Sequence, residues 1–99
     1  MPEAGDPAVS QLPAAILRAL ADMEAAGTPD VSLPRLGKRL RQGASVLMRQ
    51  LTLMGDAAIG GMPGPGWVRV ERQDERWLVR LTEAGRAMAQ ALAADAPAD

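Results

Sequence analysis

Ser32 to Met54 reads SLPRLGKRLRQGASVLMRQLTLM, and its period decides the fold. Leu33, Leu36, Gly37 and Leu40 recur at the spacing of one buried helix face. Ser32 stands where a hydroxyl can accept from a free N–H of the first turn. Gly43 is the residue expected to take positive φ in a tight turn between two helices. Ser45 is the expected cap of the next helix. There Leu47, Leu51, Met54 and Ala58 form a second apolar stripe. Two short helices around a glycine turn predict a helix-turn-helix. The bases of the stretch are Arg35, Lys38, Arg39, Arg41 and Arg49, and it holds no acid. The whole chain has a formal net charge of −1. A basic island in a near-neutral chain points to a polyanion-facing surface.

Upstream, Leu12, Ile16, Leu20 and Met23 share one face, with Leu17 broadening it. Ser10 is the expected cap, and Pro13 lies in the first turn, where proline is tolerated. Gly27 and Pro29 end the pattern, so a first helix is expected over roughly 10–26. Val31 is placed for one short strand pairing. The second and third helices are expected over roughly 33–41 and 44–58. GGMPGPG at 60–66 reads as a loop.

Trp67 to Arg72, WVRVER, alternates as a strand does. Arg76 to Leu81, RWLVRL, places Trp77, Val79 and Leu81 on one face. A polar turn, Gln73-Asp74-Glu75, joins the two into a hairpin. Thr82 is the expected cap of a last helix whose stripe is Ala84, Ala87, Met88, Ala91 and Leu92. Residues 1–9 and 93–99 read as tails around a domain over 10–92. The order predicts an α+β, mostly helical fold: a winged helix-turn-helix with three-helix core, β-hairpin wing and C-terminal helix.

Composition narrows the chemistry. The 99 residues contain neither Cys nor His, which removes thiolate zinc sites, disulfides and Ser-His-Asp or Cys-His catalysis. No enzyme, cofactor or metal is expected. Phe and Tyr are absent and Trp occurs twice, so the core must be Leu, Met, Val, Ile and Ala. Trp67 and Trp77 are expected in that core, and the methionines as gap-fillers. Asp74 and Glu75 sit at an expected hairpin tip, too exposed for acid–base work. GGMPGPG lacks the Lys-Ser/Thr of a phosphate loop. MPEAGDPAV has no basic segment before an apolar run, and no stretch is long enough to span a bilayer. A cytoplasmic, nucleoid-associated protein without membrane contact is expected.

Three motifs resemble winged-helix bacterial transcription regulators of the MarR type, in minimal single-domain form. LPRLGKRLRQ at 33–42 is similar to the family's second helix. SVLMRQLTLM at 45–54 is similar to its recognition helix, and LTEAGR at 81–86 to its wing-to-helix junction. The departures are Met48, where a small polar residue is usual, and the long GGMPGPG link.

A recognition helix in a major groove would present Ser45, Met48, Arg49 and Thr52 to base edges. Arg35, Lys38, Arg39, Arg41 and Gln50, with Arg72 and Arg76 of the wing, would meet the backbone. Residues 1–31 carry one base, Arg18, against Glu3, Asp6, Asp22, Glu24 and Asp30. That acidity, and the weakness of a single basic module, lead us to expect a homodimer on double-stranded DNA, formed through the first and last helices. The other reading is a winged-helix protein–protein module without DNA binding. Exposed Val46, Met48 and Leu53 would favour it, and so would neutralisation of the bases by Asp56, Glu71 or Glu75.

Overall fold

A computed structural model describes residues 11–55, 58–59 and 62–95. The expected tails, apart from 93–95, and the Ser10 cap lie outside these residues. The described chain is a mostly helical α+β domain with four helices and a three-stranded antiparallel sheet.

Helix α1 spans Leu12–Ala25, and Gln11 occupies its N-cap without a side-chain bond. Leu12, Ile16, Leu17, Ala19, Leu20 and Met23 are buried along it. Gly27, at φ 99°, ends it as expected. Thr28 N–H donates to the Met23 carbonyl and Gly27 N–H to that of Glu24, the paired bonds of a Schellman motif.

Strand β1, Val31–Ser32, leads directly into α2, Leu33–Leu40. Ser32 caps α2, its Oγ accepting from Arg35 N–H at 3.3 Å. The turn after α2 differs from expectation. Arg41, not Gly43, takes the left-handed conformation, at φ 57°. Gln42 N–H then closes on the Gly37 carbonyl, so the reversal comes immediately after Leu40. Gly43 is extended and forms the N-cap of α3, Ala44–Met54. Ser45 therefore lies inside α3 rather than at its cap.

Helix α3 also stops short of the expected residue 58. Trp67 N–H donates to the Met54 carbonyl at 2.8 Å, and Gly66 N–H to that of Gly55 at 3.0 Å. Acceptors that a longer helix would use internally are taken by the incoming chain. Ala58–Ile59 (β2) then pairs antiparallel with Met62–Pro63 (β3), so Met62 and Pro63 are not loop as expected. Proline is admissible there because a two-stranded ladder has only edges.

The hairpin consists of β4, Val68–Gln73, and β5, Arg76–Leu81. Strand β4 begins and ends one residue later than the alternation predicts. The turn is only Asp74-Glu75, both at positive φ, as a type I′ connection requires. Val31 makes the expected short strand pairing, its partner being Val79, and the sheet order is β1-β5-β4.

Helix α4, Glu83–Asp95, continues past the expected boundary at 92. Gly85 N–H donates to Thr82 Oγ1, the expected cap, and the Thr82 hydroxyl donates to the Gly66 carbonyl. The stripe of α4 is displaced from expectation. Gly85 and Ala89 are buried and Met88 and Leu92 half-buried, whereas Ala84, Ala87 and Ala91 face outward. A β-carbon on Gly85 would lie 1.8 Å from the Trp67 carbonyl oxygen, so glycine there lets α4 approach the strand.

The core joins α1 to Leu33 and Leu36, to Leu47, Leu51 and Met54, and to Val31, Val68, Val79 and Leu81 of the sheet. Among the described residues no polar or charged side chain is buried with them. The polar and charged groups of the described residues therefore belong to the surface.

Candidate nucleic-acid interface

Helix α3 turns Leu47, Leu51 and Met54 inward. Its opposite face carries exposed Ser45, Val46, Arg49, Thr52 and Leu53. Val46 and Leu53 are 43% and 49% exposed, so apolar groups flank Arg49 on an open helix face. One expected position is placed otherwise. Met48 is half-buried against the core, because it lies on the shoulder of the buried stripe. The Thr52 hydroxyl donates to the Met48 carbonyl at 2.8 Å, which leaves its lone pairs, but not its proton, for a partner. Gln50 is half-buried on the other side of the helix from them.

Arg35, Lys38, Arg39 and Arg41 are all exposed on α2 and the turn after it. Gly37 allows α2 to cross α3 closely: a β-carbon there would meet the Gln42 carbonyl at 2.8 Å and Leu47 Cδ1 at 3.3 Å. Lys38, Arg41 and Ala44 line one groove at this crossing, which sets two cations beside the start of α3. No side chain caps that helix end. Its free N–H groups and the helix dipole add to the positive field.

Arg39 belongs elsewhere. Its guanidinium bonds Asp22 of α1 at 3.1 Å. Both partners are largely exposed, so this ion pair adds little stability. Arg80, which sequence reading passed over, pairs with Asp30 at 3.1 Å. It stands opposite Arg69 in the ladder, and the strand alternation could have revealed that juxtaposition of like charges. Arg86 of α4 makes two 2.8 Å bonds to Glu24 of α1. The Arg86 hydrogen bond holds the Glu24 carboxyl below its ordinary range, and Glu24 raises Arg86 in return. This pair ties the two ends of the fold together, remote from α3 in the chain.

Three acids are thus paired: Asp22, Glu24 and Asp30. Among the described residues, Arg18, Arg35, Lys38, Arg41, Arg49, Arg69, Arg72 and Arg76 form no ion pair. Neither Glu71 nor Glu75 neutralises any of them, and Asp56 lies outside the described residues.

Arg72 and Arg76 are exposed at the hairpin tip, as expected. Trp77 is not in the core. It pairs across the ladder with Arg72, whose guanidinium lies 5.6 Å from its ring centroid, and it remains 38% exposed. The ladder runs three pairs beyond Val70 and Val79, where the core ends, and Arg72–Trp77 is the one of them on the core-facing side. Trp67, by contrast, packs against the core as expected. Between α3 and the hairpin lies a cleft of about 310 Å³, lined by residues that include Met48, Thr52, Arg69, Val70 and Trp77.

Among the described residues no cluster of His, Cys, Asp and Glu is placed to hold a metal, and no helix is long and apolar enough to cross a membrane. The helices expected to form a dimer, α1 and α4, pack on each other within the chain, leaving between them an apolar groove lined by Pro13, Ala14, Leu17, Trp67, Met88 and Leu92. No protein-family model, curated protein or solved structure matches the chain.

Proposed function

We propose that the chain is a DNA-binding transcriptional regulator of winged helix-turn-helix plan. Helix α3 enters the major groove, and the β4–β5 hairpin acts as the wing on the flanking backbone. One observation carries the reading. Of the bases that form no ion pair among the described residues, all but Arg18 of α1 lie on α2, the turn after it, α3 and the hairpin, while the paired acids sit at the C-terminal end of α1 and just after it. Ser45 and Arg49 are the readers of base edges, with Met48 and Thr52 contributing from the side of the cleft. Arg35, Lys38, Arg41, Arg72 and Arg76 hold phosphates, and Gln50 and Arg39 join them at the edge of the contact. Arg39 gives up only an exposed ion pair to do so. Two copies meet across the outer faces of α1 and α4, setting their recognition helices about 34 Å apart along one face of the duplex.

Fluorescence anisotropy of labelled random-sequence duplex DNA tests the reading. Saturable binding should weaken steeply with salt, by roughly 0.9 in log affinity per unit log salt for each phosphate neutralised. Absence of binding at low salt would remove the reading.

The exposure of Val46 and Leu53 favours a second reading, in which the same α3 face docks a partner protein. Absence of DNA binding at low salt, accompanied by loss of a protein complex on Val46→Ser, would select it.

A further inference from the structure

The hairpin carries three ladder pairs on its inner face: Val68 with Leu81, Val70 with Val79, and Arg72 with Trp77. Val68, Leu81 and Val79 are buried. Arg72 and Trp77 continue the same face beyond the core, so the indole lines the cleft and the Arg72 guanidinium lies 5.6 Å from the ring centroid. Met48 and Thr52 stand on its α3 side, Leu51 and Val68 form part of its lining, and Arg69 lies among the lining residues. Among the described residues no Asp or Glu lines the cleft. An exposed tryptophan costs apolar area to water, and the duplex contacts assigned to Ser45 and Arg49 make no use of it.

We propose that this cleft receives an unpaired nucleobase of a single DNA strand, stacked on Trp77. The chemistry is matched on each side. A base offers a flat π-face to the indole and apolar edges to Met48 and Val70. Its phosphodiester offers the anion that Arg72, on the same face of the hairpin as Trp77, lacks. Stacking tolerates any base, so the cleft adds affinity for opened strands without reading their sequence. Arg72, already beside the ring, contributes from the cationic side. The assignment rests on the nucleic-acid reading above and extends it from paired to unpaired DNA.

The experiment compares four probes on the full chain: an oligothymidylate strand, a strand of equal length made of abasic residues, thymidine monophosphate, and a mixed-sequence duplex. Tryptophan emission is read alongside anisotropy, and the Trp77→Leu variant isolates the Trp77 signal from that of Trp67. The oligothymidylate should quench Trp77 and bind roughly fivefold to a hundredfold more tightly than the abasic strand, the range that one stacked base confers. Trp77→Leu should lose that preference while duplex affinity changes less than about threefold, and Trp77→Phe should restore most of it. Circular dichroism of each variant confirms that the fold is retained. Equal binding of abasic and base-bearing strands would overturn the proposal, as would a monophosphate that binds as tightly as the strand. If duplex binding persists in either case, the regulator reading stands without the base pocket. If no probe binds, both fall together.

Discussion

The Trp67 carbonyl oxygen occupies the space that a side chain on Gly85 would need, only 1.8 Å from an ideal β-carbon. Two backbones meet there. Trp67 leads into β4, its carbonyl accepts from Thr82 N–H at 3.1 Å, and Gly85 follows one turn into α4. Gly85→Ala therefore cannot be absorbed by a flexible side-chain end. It should destabilise the domain by about 3 kcal/mol or more, near the top of the range for overpacking. Thermal unfolding followed by circular dichroism would show a fall of more than about 10 °C in a domain of this size. An unchanged midpoint would mean that α4 stands farther from the strand.

Arg41 offers a separation of stability from binding. Its left-handed backbone costs an ordinary residue about 1 kcal/mol, and its side chain forms no ion pair among the described residues. Arg41→Gly should raise the free energy of unfolding by up to about 1 kcal/mol while weakening DNA binding at every sequence. Chemical denaturation and anisotropy on the same preparation check both halves. Loss of stability would show that the Arg41 stem packs more tightly than its exposure indicates.

Some of these relationships are legible in the chain and others are not. The Schellman ending at Gly27 and the strand pairing of Val31 follow from local residue type and position. The turn after α2 does not, because Gly43 is the better left-handed residue and sits two positions away. Arg41 takes the conformation since α2 and α3 must cross at Gly37, which is a tertiary demand. The early end of α3 is likewise set by Gly66 and Trp67, distant donors that satisfy its last carbonyls. In α4, alanines fill so many positions that periodicity hardly distinguishes faces. The close approach at Gly85 chooses one, and Ala84, Ala87 and Ala91 fall outside. For the interface, charge was the readable signal; which bases are paired depended on Asp22 and Asp30 folding back onto Arg39 and Arg80.

The Glu24–Arg86 pair predicts a defined acid response. The folded-state pKa of Glu24 lies below its ordinary value of 4.5, chiefly through the Arg86 hydrogen bond. The stability it contributes is therefore complete above the unfolded pKa and is lost as pH falls through the folded value. Glu24→Gln should lower the unfolding midpoint at neutral pH. The gap from the wild type should narrow as pH drops below about 4.5 and close in stronger acid. A gap independent of pH would assign the effect to packing rather than charge.

Arg49 and Lys38 should respond differently to DNA sequence, and that difference tests the division between reading and holding. Arg49 stands on the open face of α3, where a guanidinium can bond a guanine edge at two points. Lys38 stands beside the start of α3 in the groove with Arg41, placed for a phosphate. A site selected from random duplexes gives the two probes needed, the selected sequence and a scrambled one. Arg49→Ala should cost about 1–3 kcal/mol on the selected site, roughly fivefold to a hundredfold in affinity, with much less effect on the scrambled one. Lys38→Ala should weaken both about equally and reduce the salt slope by about 1. Because neither side chain is buried, the two variants should unfold within about 0.5 kcal/mol of the wild type, so a change in binding is not a change in folding. Equal losses on both sequences for Arg49→Ala would make it another phosphate contact and move the reading of bases to Ser45 and its neighbours on α3.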